Sequence, residues 1–352
     1  MTPFPFQALK VVAGGQSALD IDGLELKTDA EAYQFLLSYG FDLYEASHLE
    51  QLGIIYDRAL RFCENYLCAE TCRLPEIFRG LSLAENLKPM LLCASGIYSE
   101  TWRVDLRPWV CALLRVMHVV SHLQSDLRLK YLPKIKRQTV DRIAAHIQQN
   151  GTEIFLGFEA DKVPLVAFQK KESKVRDAVI MKLLHKASAT AQEIHDHLGV
   201  RFITRNRVDT MRVIQYLINH HLVAFPNVMS VRCRNTMIDP SELQILFERH
   251  KGDWNKIAEQ ESGLSVPSLG EKNPFSSSIY KSIQFTTRQL IRIPVIRKGG
   301  QKREMSFFFP IEFQLMDEKS FQEAESGEAG HAVYKQRQLE AVRKRVLRGL
   351  SF

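Results

Sequence analysis

The period of the hydrophobic pattern changes once along this chain, at Asn150-Gly151, and that change limits what the chain can fold into. Before it, apolar residues recur at spacings of three and four over 32–49, 52–67, 108–123 and 139–147, with breaks at Pro75, Pro108 and Pro133. After it, 154–158 and 163–169 read as strands around an Asp161-Lys162 turn, and 174–185 reads as a helix. A helix ending near Leu198, a strand over 200–204 and a helix over 209–221 follow. Then come two strands, 283–295 and 305–314, joined through Gly299-Gly300, and a charged C-terminal helix. The expected fold class is α+β: a mixed β-sheet domain flanked by helices over residues 151–352, preceded by an all-α domain over residues 1–150. Weak periodicity beyond Arg249 predicts an insertion or lid loop around 250–274.

A chain of 352 residues with 45% hydrophobic side chains is large enough for roughly two domains with real cores, which excludes disordered and collagen-like classes. No apolar run approaches the roughly 20 residues of a membrane span, and 1–15 lacks the pattern of a secretory signal, so a soluble cytoplasmic protein is expected. Lys and Arg total 47 against 40 Asp and Glu; the net charge of +7 favours polyanionic ligands such as nucleotide phosphates or RNA. Cys63, Cys68 and Cys72 have neither a metal-knuckle nor a disulfide-framework spacing and read as buried thiols. His118 and His122 stand four apart on one helix without the Glu of a His-Glu-x-x-His zinc motif, so they read as core or capping residues.

Four segments hold residues suited to chemistry. In the first, Asp196 stands at the mouth of an apolar strand, Gly199 permits a tight entry and Arg201 follows two residues later on the same face. A capping Asp and a snorkelling Arg are the bland reading. In the second, alternation puts Glu312 and Gln314 on one face, with Ile311, Phe313 and Leu315 on the other. Should that face meet Asp196, the two carboxylates form an oxygen-rich site suited to Mg²⁺ and phosphoryl transfer. In the third, Lys174 and Lys182 lie two turns apart on a helix after Lys170 and Lys171, suited to hold phosphates by charge or simply to face solvent. In the fourth, Tyr280 could stack on a base and Ser282 bond a phosphate or ribose.

Taken in order, these segments resemble the synthetase domain of the RelA/SpoT nucleotidyltransferase family, which makes guanosine tetra- and pentaphosphate alarmones, over roughly 163–335. Lys174 and Lys182 match the family's two lysines after its first strand. Asp196, Gly199 and Arg201 match Asp-x-x-Gly-x-Arg; Tyr280 and Ser282 match part of Gly-Tyr-x-Ser-x-His. Glu312 and Gln314 match Glu-x-Gln-Ile-Arg-Thr, and His331, Tyr334 and Lys335 match the downstream helix. The chain departs from the pattern at Glu172, Ala178, Ile279, Gln284 and Met316, which stand where the family has Arg, Ser, Gly, His and Arg. The His-Asp pair of the family's hydrolase domain has no match in the first 150 residues.

The resemblance implies a divergent, single-function synthetase. Mg²⁺ on Asp196 and Glu312 would serve pyrophosphoryl transfer from ATP to the 3′-hydroxyl of GDP or GTP, with Glu312 also placed to take the hydroxyl proton. Lys174, Lys182 and Arg201 would hold the ATP phosphates, and Tyr280, Ser282, Gln314 and His331 the acceptor nucleotide. Two alternatives stay open. Some relatives pyrophosphorylate the 3′ end of tRNA, and the basic clusters 134–137, 297–303 and 343–348 would suit an RNA backbone. The lost Arg and His positions instead suit an inactive nucleotide-sensing module.

Overall fold

The structure, a computed structural model, describes residues 6–68, 72–126, 130–158, 161–171, 176–185, 197–267, 281–296, 302–326 and 331–350. Its α-helices are α1 (Phe6–Val12), α2 (Asp29–Ser38), α3 (Ala46–Phe62), α4 (Leu83–Ala94), α5 (Arg107–Gln124), α6 (Leu132–Gln138), α7 (Val140–Ala144), α8 (Arg176–His185), α9 (Arg207–Asn219), α10 (Pro240–Arg249), α11 (Trp254–Glu259), α12 (Glu318–Ser326) and α13 (His331–Val346). The strands are β1 (Ile147–Asn150), β2 (Glu153–Leu156), β3 (Val163–Leu165), β4 (Ala167–Lys171), β5 (Gly199–Thr204), β6 (Arg234–Asn235), β7 (Ile283–Ile296) and β8 (Lys302–Asp317). The fold is α+β. No helix among the described residues is long and apolar enough to cross a membrane.

Two compact units result, and neither is contiguous: 1–127, 175–193 and 336–352 form one, 128–174 and 194–335 the other. This differs from the division expected at residue 150. Ile135, Val140 and Ile143, which precede that point, are buried in the core of the sheet unit, whereas α8 packs on α5 in the helical unit.

In the helical unit α5 is central, with Val110, Leu113, Val116 and Val120 all buried along it. The helix expected over 32–49 is interrupted: α2 stops at Ser38 and Gly40 takes φ +95°, a left-handed turn that ends helices and favours glycine. Cys63 and Cys72 are buried thiols, and burial pushes both up from the ordinary cysteine range. His118 packs edge-on against His122, with ring centroids 4.5 Å apart, and pairs through Nδ1 with the Tyr39 hydroxyl. The C-terminal arginines read as an RNA cluster are largely internal ties. Arg345 donates to both carboxylate oxygens of Asp20 at 2.7 and 2.8 Å and to the Leu184 carbonyl at 2.7 Å. Arg348 joins it on Asp20 at 2.8 Å, and Arg343 donates to the carbonyls of Tyr66 and Cys68.

The sheet unit holds an antiparallel sheet β1-β2-β3 and a mixed sheet in the order β4-β5-β8-β7-β6. The pattern expected to end a helix at Ile147 instead opens β1, and Gly151, at φ +61°, turns the chain into β2. The stretch 250–267 contains α11 and so is not all loop: Asp253 accepts hydrogen bonds from the N–H groups of Asn255 and Lys256, which starts the helix, and Ile257 is fully buried. Within the mixed sheet β5 runs parallel to β8, and every other pairing is antiparallel. Gly199 is opposite Glu312, and a Cβ at that glycine would sit 2.7 Å from the Glu312 carbonyl oxygen.

Two outcomes follow for stability. Gly199→Val wedges apart β5 and β8 and is expected to cost about 1–3 kcal/mol, read from urea unfolding. For Asp20, the Arg345 hydrogen bond, aided by the Arg345 and Arg348 charges, holds the carboxyl below its ordinary value. A carboxyl depressed in the native state stabilises it above the unfolded pKa, and that stabilisation is lost as pH falls through the native one. Asp20→Asn should therefore lower the urea midpoint at neutral pH and shrink the further drop on acidification below the ordinary value of 3.8.

Candidate active site

Two neighbouring rows of polar residues cross the mixed sheet. One runs through Lys171, Gly199, Glu312 and Thr286 on β4, β5, β8 and β7. The next runs through Gln169, Arg201, Gln314, Gln284 and, on β6, Arg234. Side chains two apart on a strand share a face, so both rows belong to one face of the sheet. The other face is apolar. Val200, Phe313 and Phe285 form one of its rows and Phe202, Leu315 and Ile283 another, with the Phe285 and Phe313 rings stacked 4.8 Å apart and α9 packed against β5 and β8. Burying this side leaves the first as the place where charge can gather.

On the polar face, Lys171 Nζ donates to Glu312 Oε2 at 2.6 Å. Both side chains keep part of their surface in solvent. Arg201 Nε donates to Gln314 Oε1 at 2.8 Å and its Nη1 to Gln169 Oε1 at 3.1 Å. The same guanidinium lies over the Phe321 ring of α12, 5.9 Å from its centroid, with Glu325 Oε1 3.9 Å from Nη1. Two amide oxygens thus fix the plane of the guanidinium, which sets the direction of its remaining donors. Gln314 is 2% exposed, so its amide is a positioning group for Arg201 more than a surface ligand.

Ser282 precedes β7 in the alternation of Gln284 and is fully buried. Its N–H donates to Thr236 Oγ1 at 2.8 Å and its carbonyl accepts from the Thr236 N–H at 3.0 Å, while its own hydroxyl meets no partner among the described residues. A buried hydroxyl left without a partner costs free energy, which marks this corner as one where a further polar group fits.

Of the residues singled out in the sequence, the sheet brings together Arg201, Glu312 and Gln314 on one face. Lys182 lies on α8 in the helical unit. His331 is the first residue of α13. Asp196, Lys174 and Tyr280 lie outside the described residues. Among the departures from the motifs, Gln284 stands opposite Gln314, in the second polar row. Met316 is fully buried opposite Ile203, so the polar face stops there, where the motif has an Arg.

Lys171, Gln169 and Thr286 are members of this face that the motifs do not disclose. Lys171 reads as one cation of a short basic run; only its strand partner, Gly199, brings it beside Glu312. The alternation of Gln169 and Lys171 is the one local signal that both point the same way.

The Glu312 carboxylate is a hard oxygen donor of the kind that Mg²⁺ takes. Glu312 already accommodates a cation, the Lys171 ammonium, at its oxygen. Among the described residues no three His, Cys, Asp or Glu side chains gather into a cage. Mg²⁺ commonly takes one or two carboxylates from the protein and fills its remaining positions with water and substrate phosphates.

No protein-family model matches the sequence, and no curated protein matches it. Solved structures do. The small alarmone synthetase 2 from Bacillus subtilis is 15% identical, with 52% of this chain and 73% of that one covered and a TM-score of 0.26. The small alarmone synthetase 1 from Bacillus subtilis, bound to its product pppGpp, is 12% identical over 70% of this chain and 90% of that one, with a TM-score of 0.25. A GTP pyrophosphokinase family protein from Streptococcus pneumoniae is 12% identical over 70% and 89%, with a TM-score of 0.22. Overlaps this loose carry no functional weight, and what bears on chemistry is the polar sheet face of this chain.

Proposed function

We propose that the polar face of the mixed sheet is a pyrophosphoryl-transfer site, acting between ATP and the 3′-hydroxyl of a guanine nucleotide. The observation that carries this reading is the pairing register: it gathers one carboxylate, Glu312, and two cations, Lys171 and Arg201, within two adjacent rows. Phosphoryl transfer requires little covalent chemistry from a protein, and its catalysis is mostly positioning and charge neutralisation. A triphosphate can lie along such a face with its oxygens on Arg201 and Lys171. Arg201, held by Gln169 and Gln314, makes no hydrogen bond through Nη2 to any of the described residues, and that end would turn to a phosphate.

In the reaction the 3′-oxygen of the acceptor forms a bond to the β-phosphorus of ATP, the bond from that phosphorus to the α,β-bridging oxygen breaks, and AMP leaves. Glu312 takes the hydroxyl proton. Glu312, together with Asp196, would hold a magnesium ion, which would neutralise phosphate charge when bound. Lys171 then has two partners in turn: Glu312 in the free protein, and the donor phosphates once nucleotide arrives. A guanine nucleotide is favoured over tRNA as acceptor because three arginines that would grip an RNA backbone, Arg343, Arg345 and Arg348, are tied to backbone carbonyls or to Asp20.

Purified protein incubated with ATP labelled at the β-phosphate, Mg²⁺ and GDP or GTP should form AMP and a labelled pyrophosphorylated nucleotide in equal amounts, and chelation of the metal should stop it. Glu312→Gln should abolish product while changing urea stability by less than about 1 kcal/mol, because the ion pair it breaks is partly solvated. Lys171→Met is expected to raise the KM for ATP by about tenfold, the loss of one charged hydrogen bond. No AMP with either acceptor would overturn the assignment.

A further inference from the structure

The helical unit encloses a cavity of about 320 Å³ between α2, α3, α4 and α5 and the segment 18–24. Spaces between bundled helices are common small-molecule sites, and this volume is within the ordinary range for them. Phe35, Leu36, Ile55, Leu91 and Met117 supply apolar wall, and α5 contributes the stripe that carries Cys111, Arg115 and His118. Tyr39, which is partly exposed, also lines the space.

Charge on this wall is unbalanced. Among the described residues Arg115 is the lone Lys or Arg of the lining, and no Asp or Glu lines it. Its guanidinium is buried, donates to the carbonyls of Val346 and Ile21 at 2.9 and 2.8 Å, and has no carboxylate within ion-pair distance among the described residues. Two bonds occupy two of five N–H donors. The other titratable groups at the wall are neutral at physiological pH. Burial and the neighbouring His122 lower His118 to about 4, and burial pushes Tyr39 up to about 12. Burial likewise pushes the Cys111 thiol up, which keeps it protonated. Asp22 and Asp20 attract Arg115 from beyond ion-pair distance, but both are already engaged by Arg348, and Asp20 by Arg345 as well. A buried cation that shares its nearest carboxylates with other cations is unfavourable, and a ligand anion would add the missing charge.

We propose that this cavity binds a small molecule with an apolar body and a single carboxylate, of the medium-chain fatty acid class, with its chain between the helices and its carboxylate on Arg115. A water molecule's share of liquid volume is about 30 Å³, so the space suits roughly ten heavy atoms. The site lies wholly within the helical unit and does not depend on the sheet face being an enzyme.

The test is calorimetric titration of the full chain with decanoate and decylammonium below their micelle concentrations and decan-1-ol below its solubility limit. The expected result is saturable one-site binding of decanoate, about tenfold or more weaker binding of the alcohol, the loss of one charged hydrogen bond, and no saturable binding of the cation. This ligand series is read on the unaltered protein, since Arg115→Met also removes ties to Ile21 and Val346. Leu36→Trp, which fills the cavity, should abolish decanoate binding with the helical circular dichroism retained. Absence of saturable decanoate binding, equal affinity for the three ligands, or undiminished binding in a folded Leu36→Trp variant would overturn the proposal.

Discussion

The parallel contact of β5 with β8 is the constraint on which the sheet unit depends. Parallel strands cannot be joined by a tight turn, so more than a hundred residues of chain, including α9, α10, α11 and β7, separate Gly199 from Glu312 before the two meet. Their meeting is close enough that only glycine fits opposite the Glu312 backbone. Everything on the polar face inherits its place from this register. A slip of β8 by one residue would turn Glu312 and Gln314 into the apolar layer under α9 and bring Phe313 out.

Much of the architecture is legible in the sequence because it is written in short-range periodicity. Alternation around Glu312 and Gln314 separates a polar from an apolar face, and the buried neighbours Ile311, Phe313 and Leu315 fall where that alternation puts them. Where the reading failed, a local conformation or a distant partner decided the outcome. The left-handed Gly40 divides one apparent helix into two, and the side chain of Asp253 starts α11 in a segment with too few apolar residues to announce it. Lys171 has an unremarkable local sequence, and its importance comes from a strand that follows it at a distance. Domain limits were the least visible feature, because composition does not reveal that α8 packs with α5 rather than with the strands on either side of it.

The two units handle charge in different ways. On the sheet face, cations stand next to a carboxylate and stay partly solvated, so a bound polyanion can rearrange them at modest cost. In the helical unit, Arg343 and Arg345 are spent on carbonyl groups and on Asp20, where they act as fasteners. The net positive charge is therefore a poor guide to where an anion binds. Position in the fold, not number of arginines, separates a recognition surface from a structural tie.

Because the helical unit is assembled from three separated stretches, its construction cannot finish in the order of synthesis. Asp20 must wait for Arg345 and Arg348, more than three hundred residues further along the chain, before its charge is neutralised. Contacts of such long sequence separation slow closure, leaving α5 and its neighbours to remain incomplete while the sheet unit is still being made. A nascent chain stalled before α13 would thus expose an unfinished apolar interior, making the final turns of that helix the latch that ends its exposure to chaperones and proteases.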